Sequence, residues 1–305
     1  MPSTKVIKQR IKSVKNTAQI TKAMEVVSAT KMRKAQGFAL SARPYAVASL
    51  EMLKNLLART PVLPPLLQKR VVKKSALLVV TSDKGLAGAF NANVLRKAEA
   101  LVRRKNDTAL ITVGKKAKEY FERRNISILK SFWGFGDYSG LQETLPVANT
   151  VMEGFLRGDF DEVEAIYTNF RTTLRQVAAV KKILPVSEEG IREAVISILP
   201  EYGKFAALEG KPRIRDIYSY EYKFEPFASE ILTALVPQLI RMHIHQLILE
   251  SNASEHSARM VAMKNASDNA NELISDLTLV FNKARQAGIT GELAEITAGK
   301  EALEQ

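Results

Sequence analysis

The segment closest to a known chemical motif is a turn with two glycines. It reads Ser82-Asp-Lys-Gly-Leu-Ala-Gly-Ala-Phe-Asn91 and lies between a β-like run and a helical pattern. Phosphate-binding loops occupy this position in dinucleotide-binding proteins, where backbone N–H groups at a helix N-terminus hold the anion. Only Gly85 and Gly88 are present, so the G-x-G-x-x-G pattern is incomplete. We therefore favour a plain tight turn over a phosphate site.

A Gly-Lys pair could belong to the phosphate loop of a nucleotide hydrolase. That loop needs four residues between an earlier glycine and the Gly-Lys pair. Neither Gly114-Lys115 nor Gly299-Lys300 has a glycine at that spacing, nor do the pairs at 203–204 and 210–211. The sequence therefore shows no nucleotide-hydrolysing motif of its own.

Three histidines could suggest a metal site. His243 and His245 are two residues apart in a helical pattern, so they point to different sides of the helix, and His256 lies beyond them. An HExxH motif is missing, and the chain has no cysteine, which excludes thiolate ligands and disulfides. We expect no metal, no cofactor and no catalytic residue.

The first part of the chain predicts one long helix. No proline or glycine occurs from Thr4 to Gln36. Apolar residues recur there at steps of three and four, which places them on one narrow helix face. They are Ile7, Ile11, Val14 and Ala18, resumed at Ile20, Met24 and Val27. Such a face predicts pairing with another helix in coiled-coil style.

The last part predicts a second long helix. Gln238 to Ala287 contains neither proline nor glycine, and Pro237 and Gly288 flank it. Its apolar face is bulky from Ile240 to Ile248, small and polar from Ser251 to Ala262, and bulky again at Ile274, Leu277 and Phe281. Small residues allow close approach of two helices, so we expect the first and last segments to pair as an antiparallel coiled coil.

The middle of the chain has a different period. Four β-like runs occur at Ala76–Thr81, Ala109–Val113, Val163–Phe170 and Val177–Leu184, and helical stretches occur at 91–104, 115–124 and 141–156. Strands that alternate with helices predict a largely parallel sheet, so we expect a Rossmann-like α/β domain. Alternating aromatic residues from Tyr218 to Phe224 predict one more strand. The expected segments are an N-terminal helix at 1–60, the α/β domain at 75–225 and a C-terminal helix at 226–305.

Positive charge is concentrated at one end of the chain. The whole chain has 45 Lys and Arg against 32 Asp and Glu, a net charge of +13. Sixteen of those bases and only two acids, Glu25 and Glu51, lie between Met1 and Lys74. This gradient indicates an acidic partner for the N-terminal helix, such as nucleic acid, an anionic membrane surface or an acidic protein face. Solvated charges on a long helix would explain it equally well.

Both ends of the chain resemble one family. Residues 7–35 read IKQRIKSVKNTAQITKAMEVVSATKMRKA, residues 253–269 read ASEHSARMVAMKNASDN, and residues 282–296 read NKARQAGITGELAEI. These runs closely resemble the terminal helices of the gamma subunit of F-type ATP synthases, and the Ser82–Asn91 turn between them is also similar. The resemblance covers the chain essentially from end to end.

The resemblance implies a central rotor stalk. In that family the paired terminal helices enter the ring of alpha and beta subunits, and the middle domain stands on the ring of c subunits beside the epsilon subunit. Rotation driven by ion flow changes the face that each beta subunit meets, so the catalytic sites belong to beta and this chain is not itself an enzyme. The complex lies on the cytoplasmic face of the bacterial membrane, with this subunit peripheral, spanning no bilayer and binding no nucleic acid.

The resemblance also implies contact residues. Those expected to meet the alpha and beta ring are Met24, Lys31, Arg33, Lys34, Arg285, Gln286, Thr290 and Glu292. Those expected to meet the c ring are Tyr222, Glu225 and Pro226. Two other classes of function stay open from the residues alone. One is a basic coiled-coil adaptor that binds nucleic acid, and the other is a dinucleotide-dependent enzyme.

Overall fold

The computed structural model describes residues 4–41, 48–49, 52–53, 55–60, 62–105, 107–187, 225 and 227–303. Contacts divide the chain into two compact units: the terminal unit, Met1–Val27 with Met260–Gln305, and the sheet unit, Ser28–Arg259. Both boundaries fall inside long helices, α1 (Thr4–Ser41) and α5 (Ala228–Leu303). The predicted segments divide the chain by residue number, whereas the two units group residues that contact one another, so α1 and α5 each contribute to both units.

Helix α5 extends beyond the stretch of 238–287 that contains neither proline nor glycine. It continues through both Pro237 and Gly288. Pro237 is flanked by Val236 and Ile240, whose burial in the core holds the helix on either side of it. Gly288 is exposed, and one glycine in a helix costs only about 1 kcal/mol relative to alanine. Within the described residues, no helix is long and apolar enough to cross a bilayer.

The sheet unit contains a five-stranded sheet with the order β3-β2-β1-β4-β5. Its strands are β1 (Ser75–Val80), β2 (Thr108–Val113), β3 (Lys130–Phe132), β4 (Glu162–Phe170) and β5 (Gln176–Leu184). The first four are parallel, and β5 pairs antiparallel with β4. The four predicted runs are confirmed. The sequence missed β3, a three-residue edge strand too short to show a period.

Helices cover both faces of this sheet. They are α2 (Phe90–Arg104), α3 (Lys115–Glu122) and α4 (Leu141–Arg157), with a 3-10 turn at Pro65–Leu67. On one face, Leu77 and Val79 of β1 pack with α2 and α3. On the other face, Leu78 and Val80 pack with α4 and the first part of α5. All six residues of β1 are buried, as expected for a central strand between two layers.

Burial in the terminal unit follows a narrow stripe on each helix. On α5, Met263, Ser267 and Ala270 are buried, and the same spacing continues through residues that are half-buried at Ile274 and Leu277. Steps of four and three residues make the 3.5-residue repeat of coiled coils. The predicted fold class, long terminal helices with an α/β domain, is thus confirmed.

One detail of the predicted α1 face is wrong. Ile20 and Val27 are 60% and 52% exposed, whereas Thr21 and Ser28 are buried. The 3.5-residue repeat passes from Ala18 to Thr21, so it misses Ile20. A threonine can occupy the buried position because its hydroxyl bonds within the helix, to the carbonyl oxygens of residues 17 and 18, both at 3.0 Å.

Candidate functional site

A cavity of about 160 Å³ lies at the carboxyl ends of β1 and β2. Open α/β sheets bind ligands at this edge, where successive connections turn to opposite faces. In this sheet α2, after β1, packs on one face, and α4, before β4, packs on the other. The cavity is also lined by the loop after β3 and by α5. Its polar lining includes Ser82, Asp83, Asp137, Asn252, Glu255 and His256.

A carboxylate of the chain itself lies at the N-terminus of α3. The backbone N–H of Lys115, the first residue of α3, donates to Asp83 Oδ1 at 2.8 Å, and the Gly134 N–H donates to Asp83 Oδ2 at 2.8 Å. N–H groups at a helix N-terminus attract anions. Because Asp83 already supplies the negative charge there, the geometry disfavours a phosphate at the N-terminus of α3.

The glycine turn is closed by its own side chains. The Ser82 N–H donates to Asn91 Oδ1 at 3.1 Å, the Ser82 hydroxyl donates to the Lys84 carbonyl at 2.6 Å, and Asn91 Nδ2 donates to Ser82 Oγ at 2.8 Å. These bonds tie the end of β1 to the start of α2. They support the tight-turn interpretation of Ser82–Asn91.

His243 and His245 have separate surroundings on α5. The Nε2 atom of His243 is fully buried and has no hydrogen-bond partner among the described residues. Burial, followed by the charge of Lys181, lowers the pKa of His243 to about 3. His245 Nδ1 lies 3.2 Å from Thr144 Oγ1, and burial lowers its pKa as well. Across the described part of the chain, no group of three His, Cys, Asp or Glu could hold a metal ion.

The third histidine belongs to an ion-pair network around Asp137. His256 Nε2 lies 3.0 Å from Asp137 Oδ1, and Lys31 Nζ lies 2.5 Å from Asp137 Oδ2. Burial lowers the pKa of His256 to about 4, so at neutral pH the ring is uncharged and its Nε2–H donates to Asp137. Burial is the largest single influence and would raise the pKa of Asp137, but the hydrogen bond from Lys31 and nearby positive charges together outweigh burial and lower it.

Arg259 extends this network to the turn after β1. Its Nη1 lies 3.3 Å from His256 Nδ1, and its Nη2 donates to Glu255 Oε1 at 2.5 Å and to the Gly85 carbonyl at 3.2 Å. Burial raises the pKa of Glu255 despite the charge of Arg259. We call Lys31, Asp137, Glu255, His256 and Arg259 the Asp137 network.

The residues predicted to meet the alpha and beta ring differ in exposure on α1. Arg33 and Lys34 are exposed, and Lys34 Nζ lies 5.7 Å from the centre of the Tyr138 ring. Lys31 is half-buried within the Asp137 network. Met24, in the terminal unit, is half-buried. Their roles as ring contacts stay predictions.

On α5 all four predicted contact residues are exposed: Arg285, Gln286, Thr290 and Glu292. Their one mutual contact in the structure is the bond from the Thr290 hydroxyl to the Gln286 carbonyl, at 2.9 Å. Such a bond stays within the helix, so the side chains of Arg285 and Gln286 still face solvent. The surface predicted to meet the ring is therefore available to a partner.

One residue predicted to meet the c ring is described. Glu225 is exposed. Tyr222 and Pro226 lie outside the described residues, as does the predicted strand Tyr218–Phe224. The c-ring contact stays a prediction.

Sequence reasoning missed three members of the Asp137 network: Asp137, Glu255 and Arg259. Glu255 and Arg259 are four residues apart, a spacing at which helical acids and bases pair, so this pair carried a readable signal. Asp137 follows a glycine-rich stretch of the loop, and the residues next to it in the sequence give no indication that its partners are more than 100 positions away in the chain.

Comparison with known proteins places the chain in a family. A sequence model of the family described as ATP synthase matches residues 3–303. Proteins named ATP synthase gamma chain from Roseiflexus castenholzii and Chloroflexus aurantiacus are each 43% identical to it, over 99% of this chain and 99% of theirs. The chain belongs to the ATP synthase gamma chain family. The gamma chain of Pelotomaculum thermopropionicum is also 43% identical, over the full length of both.

Solved structures of ATP synthases contain chains with a similar fold. A chain of the Euglena gracilis mitochondrial ATP synthase in rotational state 3 has a TM-score of 0.63 and 20% identity, with 98% of this chain and 94% of that one covered. A chain of the Tetrahymena thermophila central stalk and c ring has a TM-score of 0.58 and 23% identity, with 81% and 99% covered. At these identities the likeness supports the fold.

Proposed function

We propose that this gamma-family chain is the central rotor stalk of an F-type ATP synthase. It turns with a ring of c subunits and, through its terminal helices, changes the nucleotide affinity of catalytic sites on beta subunits. Agreement with gamma chains over 99% of both sequences is the observation that carries this proposal. The same agreement favours a rotor over a nucleic-acid adaptor, because it covers the sheet unit as well as the basic helix.

The exposed C-terminal end of α5 supports the proposal that a partner surrounds this part of the helix. Every residue from 285 to 299 is exposed, including large apolar side chains at Ile289, Leu293 and Ile296. An exposed helix with repeated apolar side chains marks an interaction surface. We assign this surface to the alpha and beta ring, and Arg285, Gln286, Thr290 and Glu292 to contacts within it.

Rotation affects the beta sites through differential contact. A beta subunit has conformations with different nucleotide affinity, and the stalk shifts their populations only by binding one conformation better than another. A shaft with different side chains around its circumference meets that requirement. Bond cleavage then belongs to beta, and this chain needs no catalytic group, no cofactor and no metal.

The sheet unit has the complementary role in this proposal. It meets the c ring through Glu225 with Tyr222 and Pro226, and it also binds the epsilon subunit. The chain is a peripheral subunit on the cytoplasmic face of a bacterial membrane.

Single-molecule rotation tests the proposal. The chain has no cysteine, so Val71→Cys, at a side chain that is 82% exposed in the sheet unit, gives one attachment point for a bead. The complex is immobilised through its beta subunits, after reactive thiols in the other subunits are replaced. ATP should drive rotation of the bead in one direction.

The matched control carries the bead on an alpha subunit, where it should stay fixed. A bead that stays fixed on Val71→Cys, in complexes that hydrolyse ATP normally, would contradict the rotor assignment.

A further inference from the structure

The Asp137 network joins four parts of the sheet unit. Asp137 belongs to the loop between β3 and α4, and its two oxygens receive Lys31 from α1 and His256 from α5. Arg259 connects the network to the turn after β1 by donating a hydrogen bond to the Gly85 carbonyl oxygen. Both long helices are thus bound to the sheet through one carboxylate.

The hydrogen bonds of the network form one consistent chain. With His256 neutral, its Nε2–H donates to Asp137, and its Nδ1 lone pair accepts from Arg259, which also donates to Glu255. His256, Arg259 and Glu255 have side chains only 4%, 8% and 13% exposed. Because buried polar groups are costly to leave unpaired, these side chains hold one another in a single arrangement.

The loop that carries Asp137 is itself anchored. The Gly134 N–H bonds to Asp83 at the cavity, and the Ser139 hydroxyl bonds to the Gly136 carbonyl at 2.8 Å. The neighbouring Tyr138 ring also contacts α1, with its centre 5.7 Å from the centre of the Phe38 ring. A shift of α1 along its axis would therefore separate charged and aromatic contacts together.

We propose that Asp137 is a positioning residue that fixes α1 and α5 to the sheet unit, so that torque on the sheet is passed to both helices at once. This inference rests on the proposed rotor function. It also gives Lys31 an internal role that differs from contact with the ring. An amide in place of the carboxylate keeps one acceptor oxygen and replaces the other with an NH2 donor, so it cannot accept from both Lys31 and His256 through separate oxygens.

Paired variants in the assembled complex test the positioning role. Lys31→Met, Asp137→Asn and the double variant are compared by ions transported per ATP hydrolysed in vesicles. Each single variant should lower this ratio at least twofold while ATP hydrolysis persists, and the double variant should be no worse than Asp137→Asn. Lys22→Met is the matched control, because Lys22 pairs with Glu25 inside α1 and has no ion pair with a second element within the described residues. An unchanged ratio in both single variants would overturn the proposal.

A reversible covalent bridge separates position from charge. Lys31→Cys with Asp137→Cys adds the only two thiols of the chain. Bifunctional thiosulfonates of graded length join them in the full chain before reconstitution. The unbridged variant should couple poorly, the bridge should restore coupling, and reduction should abolish it again. If no bridge length restores coupling, Lys31 acts through its charge on a partner and the proposal is wrong.

Folding is checked in the same preparations by hydrogen exchange. Asp137→Asn should lower protection in residues 28–41 while β1 stays protected. If β1 also loses protection, Asp137→Asn disturbs the fold of the sheet unit, and Lys31→Met then tests the proposal. The Lys31 side chain is 34% exposed, so its replacement leaves the core intact. Wild-type rotation and coupling are measured alongside, so failure of the rotor function would show in wild type, whereas failure of this inference would show in the variants alone.

Discussion

The Oδ1 atom of Asp83 lies 2.8 Å from the backbone nitrogen of Lys115, the first residue of α3. The carboxylate therefore completes a helix N-terminus from a different part of the chain. The sheet has the strand order of nucleotide-binding proteins, and at the N-terminus of α3 this carboxylate holds the turn after β1 against the helix. The N–H group that could bind an anion is therefore used in a structural contact.

Asp83 should therefore contribute to stability. Asp83→Ala removes the acceptor of two backbone N–H groups and should lower the free energy of unfolding by about 1–2 kcal/mol, and Asp83→Asn by less. Urea unfolding is followed by fluorescence of Trp133, the single tryptophan, which lies in the sheet unit. As a control, Asp159→Ala removes an exposed pair with Arg157 and should cost about 0–1 kcal/mol. Equal losses in the two alanine variants would contradict this role.

Gly114 should be the glycine least tolerant of substitution in the turn before α3. Its φ is +95°, and an added Cβ would lie 2.2 Å from the Thr81 carbonyl oxygen. Gly114→Ala should cost at least about 3 kcal/mol, since backbone strain and a backbone clash act together. Gly134 has φ +84° but open space around it, so Gly134→Ala should cost only about 1–2 kcal/mol. Stability is measured as the midpoint of urea unfolding. Equal losses in Gly114→Ala and Gly134→Ala would contradict the steric argument.

Periodic burial made much of the fold predictable from the sequence. The four longer strands were readable because β1, for example, is a continuous apolar run between two layers. The stripe of α5 was readable because its residues keep one spacing over many turns. Ile20 was wrongly placed on the buried face of α1, because hydrophobicity alone does not distinguish a buried residue from its exposed neighbour. Thr21 is buried instead, and its hydroxyl forms hydrogen bonds inside the helix.

The Asp137 network could not be predicted for a different reason. Its central pair joins residues 106 positions apart, and the loop that brings them together follows β3, the strand that the sequence missed. The terminal motifs resembled one family, yet they marked Lys31 only as a ring contact. Contacts that depend on tertiary placement of a loop leave no period in the sequence.

Stability should fall in acid partly through His243. Its pKa is about 3 in the folded chain against 6.5 as the ordinary value, so below pH 6.5 the unfolded chain takes up a proton that the folded chain does not. The free energy of unfolding should therefore fall by up to about 1.4 kcal/mol per pH unit from this residue. His256 acts in the same direction, whereas Glu255, whose pKa is raised, opposes it.

His243→Leu and His243→Gln test this contribution. Both remove the titration, so between pH 6.5 and pH 5 the slope of unfolding free energy against pH should become shallower by about 1 kcal/mol per unit on average. Carboxylates with lowered pKa values, such as Asp137, add their effect mainly below this range. Urea unfolding at half-unit pH steps gives the slopes. Parallel curves for wild type and both variants would show that His243 takes up its proton equally in both states.

The exposed end of α5 should matter for turnover more than for assembly. Arg285 and Gln286 are exposed, and their side chains have no hydrogen bond or ion pair within the described residues, so Arg285→Ala with Gln286→Ala leaves the helix itself intact. If the pair contacts the beta subunits, the double variant should lower ATP turnover several-fold. By contrast, Arg33→Ala or Lys34→Ala alone should change turnover little, since one exposed ion pair is worth about 0–1 kcal/mol.

Lys283→Ala is the control for loss of an exposed positive charge at this end of α5, because Lys283 is also exposed; it lies about 200° around the helix from Arg285 and about 60° from Gln286. Turnover and subunit stoichiometry are measured on the same purified complex. Full turnover in the double variant would remove Arg285 and Gln286 from the predicted contact. Loss of subunits would instead show that these residues hold the stalk in the ring. Reduced turnover at full stoichiometry, with Lys283→Ala unaffected, would mean that Arg285 and Gln286 themselves act on the catalytic subunits, and that loss of any positive charge at this end of α5 is not enough.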